Sequence, residues 1–449
     1  MAAADASFPA DFVWGAATAA YQIEGAHRAD GRGESIWDTF THTPGNVVNG
    51  DTGDIACDHY HRYPEDIALM RELGLGGYRL SISWPRIFPN GTGRANDAGL
   101  DFYKRLIESV QAAGIDPFVT LYHWDLPQAL QDAGGWANRD TAKRFGEFAH
   151  EMGVTLGGDV HRWITINEPW VAAFLGHLEG FHAPGMRDLR TALAASHHLL
   201  LAHAEALAAL RAESRAGDQI GITLVLAPCE PAGDSQADLE AAARQDGFVN
   251  RWFLDPVFKG SYPDDMLHHY GDLVPAMESD DLARISAPID FLGVNYYFRM
   301  LTRYDPASQP VQAEFDPPPG RPVTAMGWEV YPDGLYDVLR RVHQDYAPAA
   351  IYITENGAAY PDRLRDGRVD DPEREAYLHD HLLACYRAIE EGVPLRGYFA
   401  WSLLDNFEWS FGYSRRFGLI YVDYATQERT IKRSGHWYAN VTRENGIRG

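Results

Sequence analysis

Eight short apolar runs constrain this chain more than any other feature. They span residues 12–15, 78–81, 117–121, 163–166, 220–226, 291–294, 351–354 and 397–401, and longer helical stretches separate most of them. Runs such as Tyr-Arg-Leu-Ser-Ile-Ser at 78–83 and Phe-Val-Thr-Leu-Tyr at 118–122 are β-branched or aromatic and bounded by Gly or Pro, as buried strands are. Strands of this length alternating with helices form βα units in a parallel sheet. One helix is expected over 64–73, where Ile67, Met70 and Arg71 recur at helical spacing behind Glu65 and Asp66. Another is expected over 99–113, with Leu100, Tyr103, Leu106, Ile107 and Val110 on one face. Eight units with no linker predict an α/β fold closed into a barrel, a single domain over 1–449 with elaborated βα loops and a short tail at about 1–7. The segments 316–322 and 362–371 read as loops.

With 45% hydrophobic and 12% aromatic residues, the chain of 449 has ample material for a core, which excludes disordered and fibrous classes. The formal charge of −24 disfavours nucleic acid and anionic lipid, both of which need Lys and Arg to displace counterions. A small neutral partner fits better. The Ala/Leu stretch 191–213 contains His197, His198, His203 and Glu205, so it reads as a helix of a soluble protein and not as a membrane span. Cys57, Cys229 and Cys385 form no C-x-x-C pair and are expected to be reduced, buried thiols. The N-terminal MAAADASFPADF lacks a basic region followed by an apolar one, so a cytoplasmic protein is expected. The H-x-H of Asp58-His59-Tyr60-His61 leads into a helix and has no further ligands at metal-binding spacing. No cofactor is expected, and the sequence leaves the oligomeric state open.

In a parallel barrel the reactive groups sit where strands end. Strand four runs into Asn167-Glu168-Pro169-Trp170 and strand seven into Glu355-Asn356-Gly357. A carboxylate at the end of a buried strand is costly to desolvate unless it is paired or functional. Either glutamate alone could be neutralised by an arginine. Two of them projecting into one barrel mouth are the equipment of glycoside hydrolysis, in which one carboxyl is protonated and the other ionised. His123-Trp124 follows strand three, Asn295-Tyr296-Tyr297 strand six, and Trp401 with Phe407-Glu408-Trp409 strand eight. Sugar rings stack on indoles and need short polar partners for their hydroxyls.

Nine segments together resemble the family 1 glycoside hydrolases, the β-glucosidase family. Thr165-Ile-Asn-Glu-Pro-Trp170 is similar to its acid/base motif and Tyr352-Ile-Thr-Glu-Asn-Gly357 to its nucleophile motif. The likeness extends through Phe12 to Gly25, Tyr78 to Ile87, Thr120 to Pro127, Phe291 to Tyr297, Met326 to Pro332, Trp401 to Trp409 and Arg416 to Asp423. It implies a (β/α)₈ TIM barrel and a retaining β-glycosidase acting through a covalent glycosyl-enzyme, with Glu355 as nucleophile and Glu168 as general acid/base. It places Arg79 beside the nucleophile and Tyr297 in a hydrogen bond to it, and Asn167 at the sugar 2-hydroxyl. It assigns Gln22, His123, Asn295, Trp401, Glu408 and Trp409 to the shell around the terminal sugar, with Phe417 beside them. Trp170 and Trp328 fall at the entrance, together with His177 and Leu175.

Members acting on 6-phosphorylated sugars replace the Glu408 position with a small residue and carry Lys and Tyr where this chain has Arg415 and Phe417, so a phosphoglycoside is not expected. Plant thioglucosidases replace the acid/base glutamate, which is intact here. The resemblance implies a β-glucosidase acting on cello-oligosaccharides and aryl or alkyl β-glucosides. It leaves open a β-galactosidase or β-fucosidase of the same family. A sugar-binding barrel without activity, the reading from another class, would have lost one of the two carboxylates.

Overall fold

The computed structural model describes residues 6–448. Eight parallel strands close into a barrel. They are β1 (Val13–Ala17), β2 (Gly77–Ser81), β3 (Asp116–Tyr122), β4 (Arg162–Asn167), β5 (Gln219–Val225), β6 (Phe291–Asn295), β7 (Ile351–Asn356) and β8 (Leu395–Trp401). Each lies within two residues of an expected run, because an apolar stretch bounded by Gly or Pro has few other ways to be buried. β8 closes the ring on β1, with Gly397 opposite Val13 and Trp401 opposite Ala17.

Along each strand alternate residues face inward, and the interior changes character with height. Its lower half is an aromatic plug. Phe118 packs edge-on against Phe399 at 4.6 Å and against Tyr352 at 5.3 Å, and Phe291 meets Tyr352 at 5.2 Å. Gly15 lies under Phe399, where a Cβ would come within 2.4 Å of the ring, so the plug requires glycine there. Above it come Arg79, Thr120, Thr223, Asn295 and Thr354, all buried and polar. The plug fills the barrel below the C-terminal ends of the strands, the face where the polar side chains gather.

Several expectations are corrected. The helix expected over 64–73 runs from His59 to Glu72 with Pro64 inside it. Asp66 is not a solvated first-turn charge. It is buried between His59 Nδ1 at 2.7 Å and Arg429 Nε at 2.9 Å, and the hydrogen bond that Pro64 forgoes lies in the first turns of the coil. The helix expected over 99–113 runs Asp97–Ala112. Ala6–Ser7, expected in the tail, pairs antiparallel with Gly446–Ile447, a contact too remote in sequence to be read locally; residues 1–5 lie outside the described residues. A small sheet of Cys229–Pro231, Met300–Tyr304 and Ala313–Phe315 rises beside the barrel mouth, in segments for which no strand was expected. Cys229, expected to be buried, is only half-buried; Cys57 and Cys385 are buried, and all three are free thiols.

The stretch 191–213 lies in a helix from Leu189 to Glu213 capped by Asp188. His197 is held there by Asp281 and Tyr262, and His203 by Thr165. Among the described residues, no helix is long and apolar enough to cross a membrane.

Candidate active site

Both key glutamates owe their direction to an irregularity in the sheet. Strict alternation places Ile164 inside and then Ile166, yet the pairing of β4 with β5 shifts between Ile164 and Asn167, and Asn167 turns inward. The pairing of β7 with β6 shifts between Ile353 and Glu355. Thr354 and Glu355 therefore both reach the interior although they are neighbours. An extra residue in one strand re-aims the side chains after it.

Glu355 is held from two sides. Arg79 on β2 donates through its Nη1 to Glu355 Oε1 at 2.5 Å, and the Tyr297 hydroxyl donates to Oε2 at 2.6 Å. Arg79 is fully buried and also donates to Asn167 Oδ1 at 2.6 Å and to the Thr354 carbonyl at 3.1 Å. Glu168 has a different neighbourhood. Its Oε1 accepts from the Asn295 amide at 2.7 Å, and among the described residues no cation touches it. Its backbone is left-handed, at φ 46°, and its N–H is anchored to the Thr223 carbonyl at 2.9 Å. Such a conformation is strained in a non-glycine residue and persists only where the surroundings enforce it.

The electrostatics follow from these contacts. Burial pushes Glu168 upward, the negative charge of Glu355 adds to the shift, and together they bring it to about 8. Burial also raises Glu355, but the Arg79 guanidinium and the Tyr297 hydroxyl pull it back. Charge-assisted hydrogen bonds stabilise an anion by about 1.5–3 kcal/mol each, against about 1 for a neutral pair, so Glu355 ionises first. At neutral pH this pair is one carboxylate and one carboxylic acid.

A chain of amides fixes the protonation of His123. Arg79 has only donors, so it faces the oxygen of Asn167, whose amide nitrogen must then face His123 Nε2 at 3.1 Å. The ring accepts there and carries its proton on Nδ1, a buried donor with no protein partner. Burial and the charge of Arg79 hold this histidine well below its ordinary value, so it stays neutral. Gln22 is fully buried, donates to the Phe407 carbonyl at 2.8 Å and to Asn406 at 3.1 Å, and leaves its Oε1 without a protein partner. Glu408 likewise has an unmatched oxygen, and burial together with the charge of Glu355 raises it to about 8 against the pull of Arg415.

Trp401, Trp409 and Phe417 are buried around this end, and His123 lies parallel to Trp401 at 6.0 Å and to Trp409 at 5.9 Å. The loop carrying them is fastened by Asp405, which accepts from Lys432 at 2.6 Å, Arg416 at 2.6 Å and the Gly418 N–H at 2.9 Å.

These groups surround a cavity of about 330 Å³. Apart from Leu175 and His177, the sequence expected fourteen residues at one site, and the barrel brings those fourteen together. Ten line the cavity, including Trp170 and Trp328 at its mouth. Gln22, Arg79, Asn167 and Asn295 stand behind that surface and hold it. Leu175 is on the wall, whereas His177 is not: it is buried, with Nδ1 on the Ala172 carbonyl at 3.0 Å. It follows a π-helical turn at Val171–Leu175, whose extra residue displaces later positions around the coil.

Sequence reasoning missed Thr354 and Thr223, which link β7, β6 and β5 under Asn295. It also missed Asn406, Phe298 and Phe315. Asn406 sits inside the Trp401 to Trp409 motif and Phe298 next to Tyr297, so adjacency could have found them. Phe315 had no local signal, because its strand exists only through pairing with Met300–Tyr304.

Two carboxyls in different states on one cavity, backed by unmatched polar atoms and ringed by indoles, can work on a polyhydroxylated ring. The sequence profile of Glycosyl hydrolase family 1 matches residues 4–447. The chain belongs to that family. Family 1 enzymes are retaining glycosidases. It is 52% identical to Beta-glucosidase A of Thermotoga maritima over 442 residues, covering 98% of each chain. It is 51% identical to a 1,4-beta-D-glucan glucohydrolase of Thermotoga neapolitana, over 98% of this chain and 99% of that one. The solved structure of the Thermotoga maritima β-glucosidase in complex with glucoimidazole superposes with a TM-score of 0.95 at 52% identity, over 98% of this chain and all of that one.

Proposed function

We propose that this family 1 enzyme is a β-glucosidase that removes terminal non-reducing β-D-glucosyl residues from cello-oligosaccharides and from aryl and alkyl β-glucosides, acting in the cytoplasm, where its thiols stay reduced. Glu355 attacks the anomeric carbon while Glu168 passes its proton to the departing oxygen, giving a glycosyl ester on Glu355. Forming the ester consumes the negative charge that helps raise Glu168. Glu168 then falls in pKa and serves as the base that takes a proton from the incoming water. The observation that carries this reading is the asymmetry of the pair: a cation and a phenol on Glu355, a single neutral amide on Glu168.

Geometry also supports end-on action. The aromatic plug and the loop fastened by Asp405 close the inner end of the cavity, so a terminal residue fits and a mid-chain one has no exit. Gln22 Oε1, the Glu408 carboxyl and the Nδ1–H of His123 supply an acceptor, a group that can both donate and accept, and a donor for ring hydroxyls. The relative named as a glucan glucohydrolase supports β-1,4-glucosides as the natural class.

The test is proton NMR of the first-formed sugar from an aryl β-glucoside, with kcat/KM compared across aryl β-glucoside, β-galactoside, β-fucoside and cellobiose. The β-anomer should appear first and the glucosides should lead. An α-anomer would overturn the double displacement, and a leading galactoside would overturn the sugar assignment.

A further inference from the structure

The entrance tryptophan, Trp328, belongs to no barrel strand. Its loop, 323–331, is secured by few backbone bonds, among them Thr324 N–H to the Trp328 carbonyl and Ala325 N–H to the Ala359 carbonyl, both at 2.9 Å. Beside it, Glu329 is 2% exposed, a carboxylate carried by a loop at the barrel mouth yet withdrawn from water. Its hydrogen-bonded partner is Arg299, two residues beyond Tyr297, while the exposed Arg321 stands farther off, its Nε 3.8 Å from Oε1. Arg299 donates through Nε to Glu329 Oε2 at 2.8 Å and through Nη2 to Oε1 at 3.2 Å, a fork on both oxygens. Its third nitrogen reaches Glu230 at 2.6 Å, and its guanidinium lies 3.9 Å over the ring of Tyr331. One side chain thereby ties together the segments that follow β5 and β6 and the loop bearing Trp328.

The consequence falls on the aromatic wall. Trp328 lies parallel to Phe298 at 5.1 Å and meets Tyr297 at 5.2 Å. Phe298 in turn stacks on Phe315 at 5.9 Å. Fixing 297–299 against 328–331 therefore fixes the indole as one face of the cavity mouth. We propose that Arg299 and Glu329 are positioning residues that set how tightly the leaving-group half of the substrate is held, by locking Trp328 in place. This rests on the reading of Trp328 as part of the aglycone wall. Neither residue touches the two catalytic glutamates, and Tyr297, which does, is anchored independently by the Tyr377 hydroxyl on its carbonyl at 3.3 Å, so the pair acts on the departing group and not on the terminal sugar or the chemistry.

The experiment compares wild type with Glu329→Gln and Arg299→Lys. Read-outs are KM and kcat for cellobiose and for 2,4-dinitrophenyl β-glucoside, the inhibition constant of deoxynojirimycin as a probe of the terminal-sugar site, and Tm. Glu329→Gln should raise KM for cellobiose roughly tenfold, while kcat for the dinitrophenyl glucoside and deoxynojirimycin inhibition stay within about twofold. Arg299→Lys keeps the charge but loses the fork, and should give a smaller shift in the same direction. Adding Trp328→Ala to Glu329→Gln should raise KM for cellobiose no further than Trp328→Ala alone, because the pair acts through that ring.

A fall in Tm with unchanged KM, or parallel losses on both substrates and the inhibitor, would reduce the pair to a structural role and overturn the proposal. Additive effects of the two substitutions would overturn it as well. If one variant does not fold, the other carries the test. Wild type failing to cleave either glucoside would defeat the substrate reading instead, a result distinct from any of these.

Discussion

The ends of β4 and β7 look alike in sequence, each an apolar strand closing on a glutamate, and they are built to opposite purposes. At β7, Glu355 is clasped by a guanidinium and a phenol. At β4, Glu168 has one amide and a strained backbone. Both are almost wholly buried, so desolvation pushes both the same way, and what separates them is the partner set. A buried ion pair broken on one side costs about 3–5 kcal/mol, far more than a lost neutral hydrogen bond. The fixed charge sits at one carboxylate and favours its ionised form, and the other is left with no cation to hold its charge.

The most severe way to break the contrast is Glu355→Ala. Activity on every β-glucoside should fall by at least about 10⁴-fold, and added azide or formate should restore turnover with an inverted product, because a small anion fits where the carboxylate stood. Product configuration by NMR decides it, and rescue with retained configuration would reassign the nucleophile.

Glu168→Gln should act unevenly. Loss of the acid should cost about 10³-fold on cellobiose, whose leaving group needs a proton, and about tenfold on formation of the glycosyl-enzyme from 2,4-dinitrophenyl glucoside, whose leaving group does not. The same residue should set the alkaline limb of the wild-type profile. With Glu168 at about 8, kcat/KM for cellobiose should decline as pH rises through that value, and the limb should be absent from the dinitrophenyl profile of the variant. Equal losses on the two substrates would remove Glu168 from the acid role.

The gentlest probe is stability. Glu168 is raised in the folded protein from 4.5 to about 8, so its contribution is fully present below pH 4.5 and is lost as pH rises through about 8. A glutamine carries no such penalty. Tm of Glu168→Gln should exceed that of wild type by a few degrees at pH 8, with the gap narrowing toward pH 5. A gap that widened on acidification would contradict the sign.

The legible parts of the fold are those written locally. β4 and β7 could be read because a short apolar run bounded by turn residues can be buried in only one way, and a terminal glutamate at such a run is costly without a task. Arg79 could be named only by likeness, since nothing about an arginine inside Tyr-Arg-Leu-Ser announces that it spans the barrel to Glu355 and Asn167. Gln22 and Glu408 are far apart in the chain and meet through the loop at 406–407. His59 through Tyr63 were not recognised as helix because only His59 and Tyr60 are buried there, and His59 is held by Asp66, which Arg429, remote in sequence, anchors in turn.

By itself, the order of apolar runs determined eight strands, a closed parallel sheet and two acids at its active face, because burial and periodicity act over a few residues at a time. Only the tertiary structure decided which acid is charged, which way each points and what locks the entrance. The register shifts at Asn167 and Glu355, the reach of Arg79 and the fork of Arg299 on Glu329 all arise between distant segments, where geometry exists only after the barrel has closed.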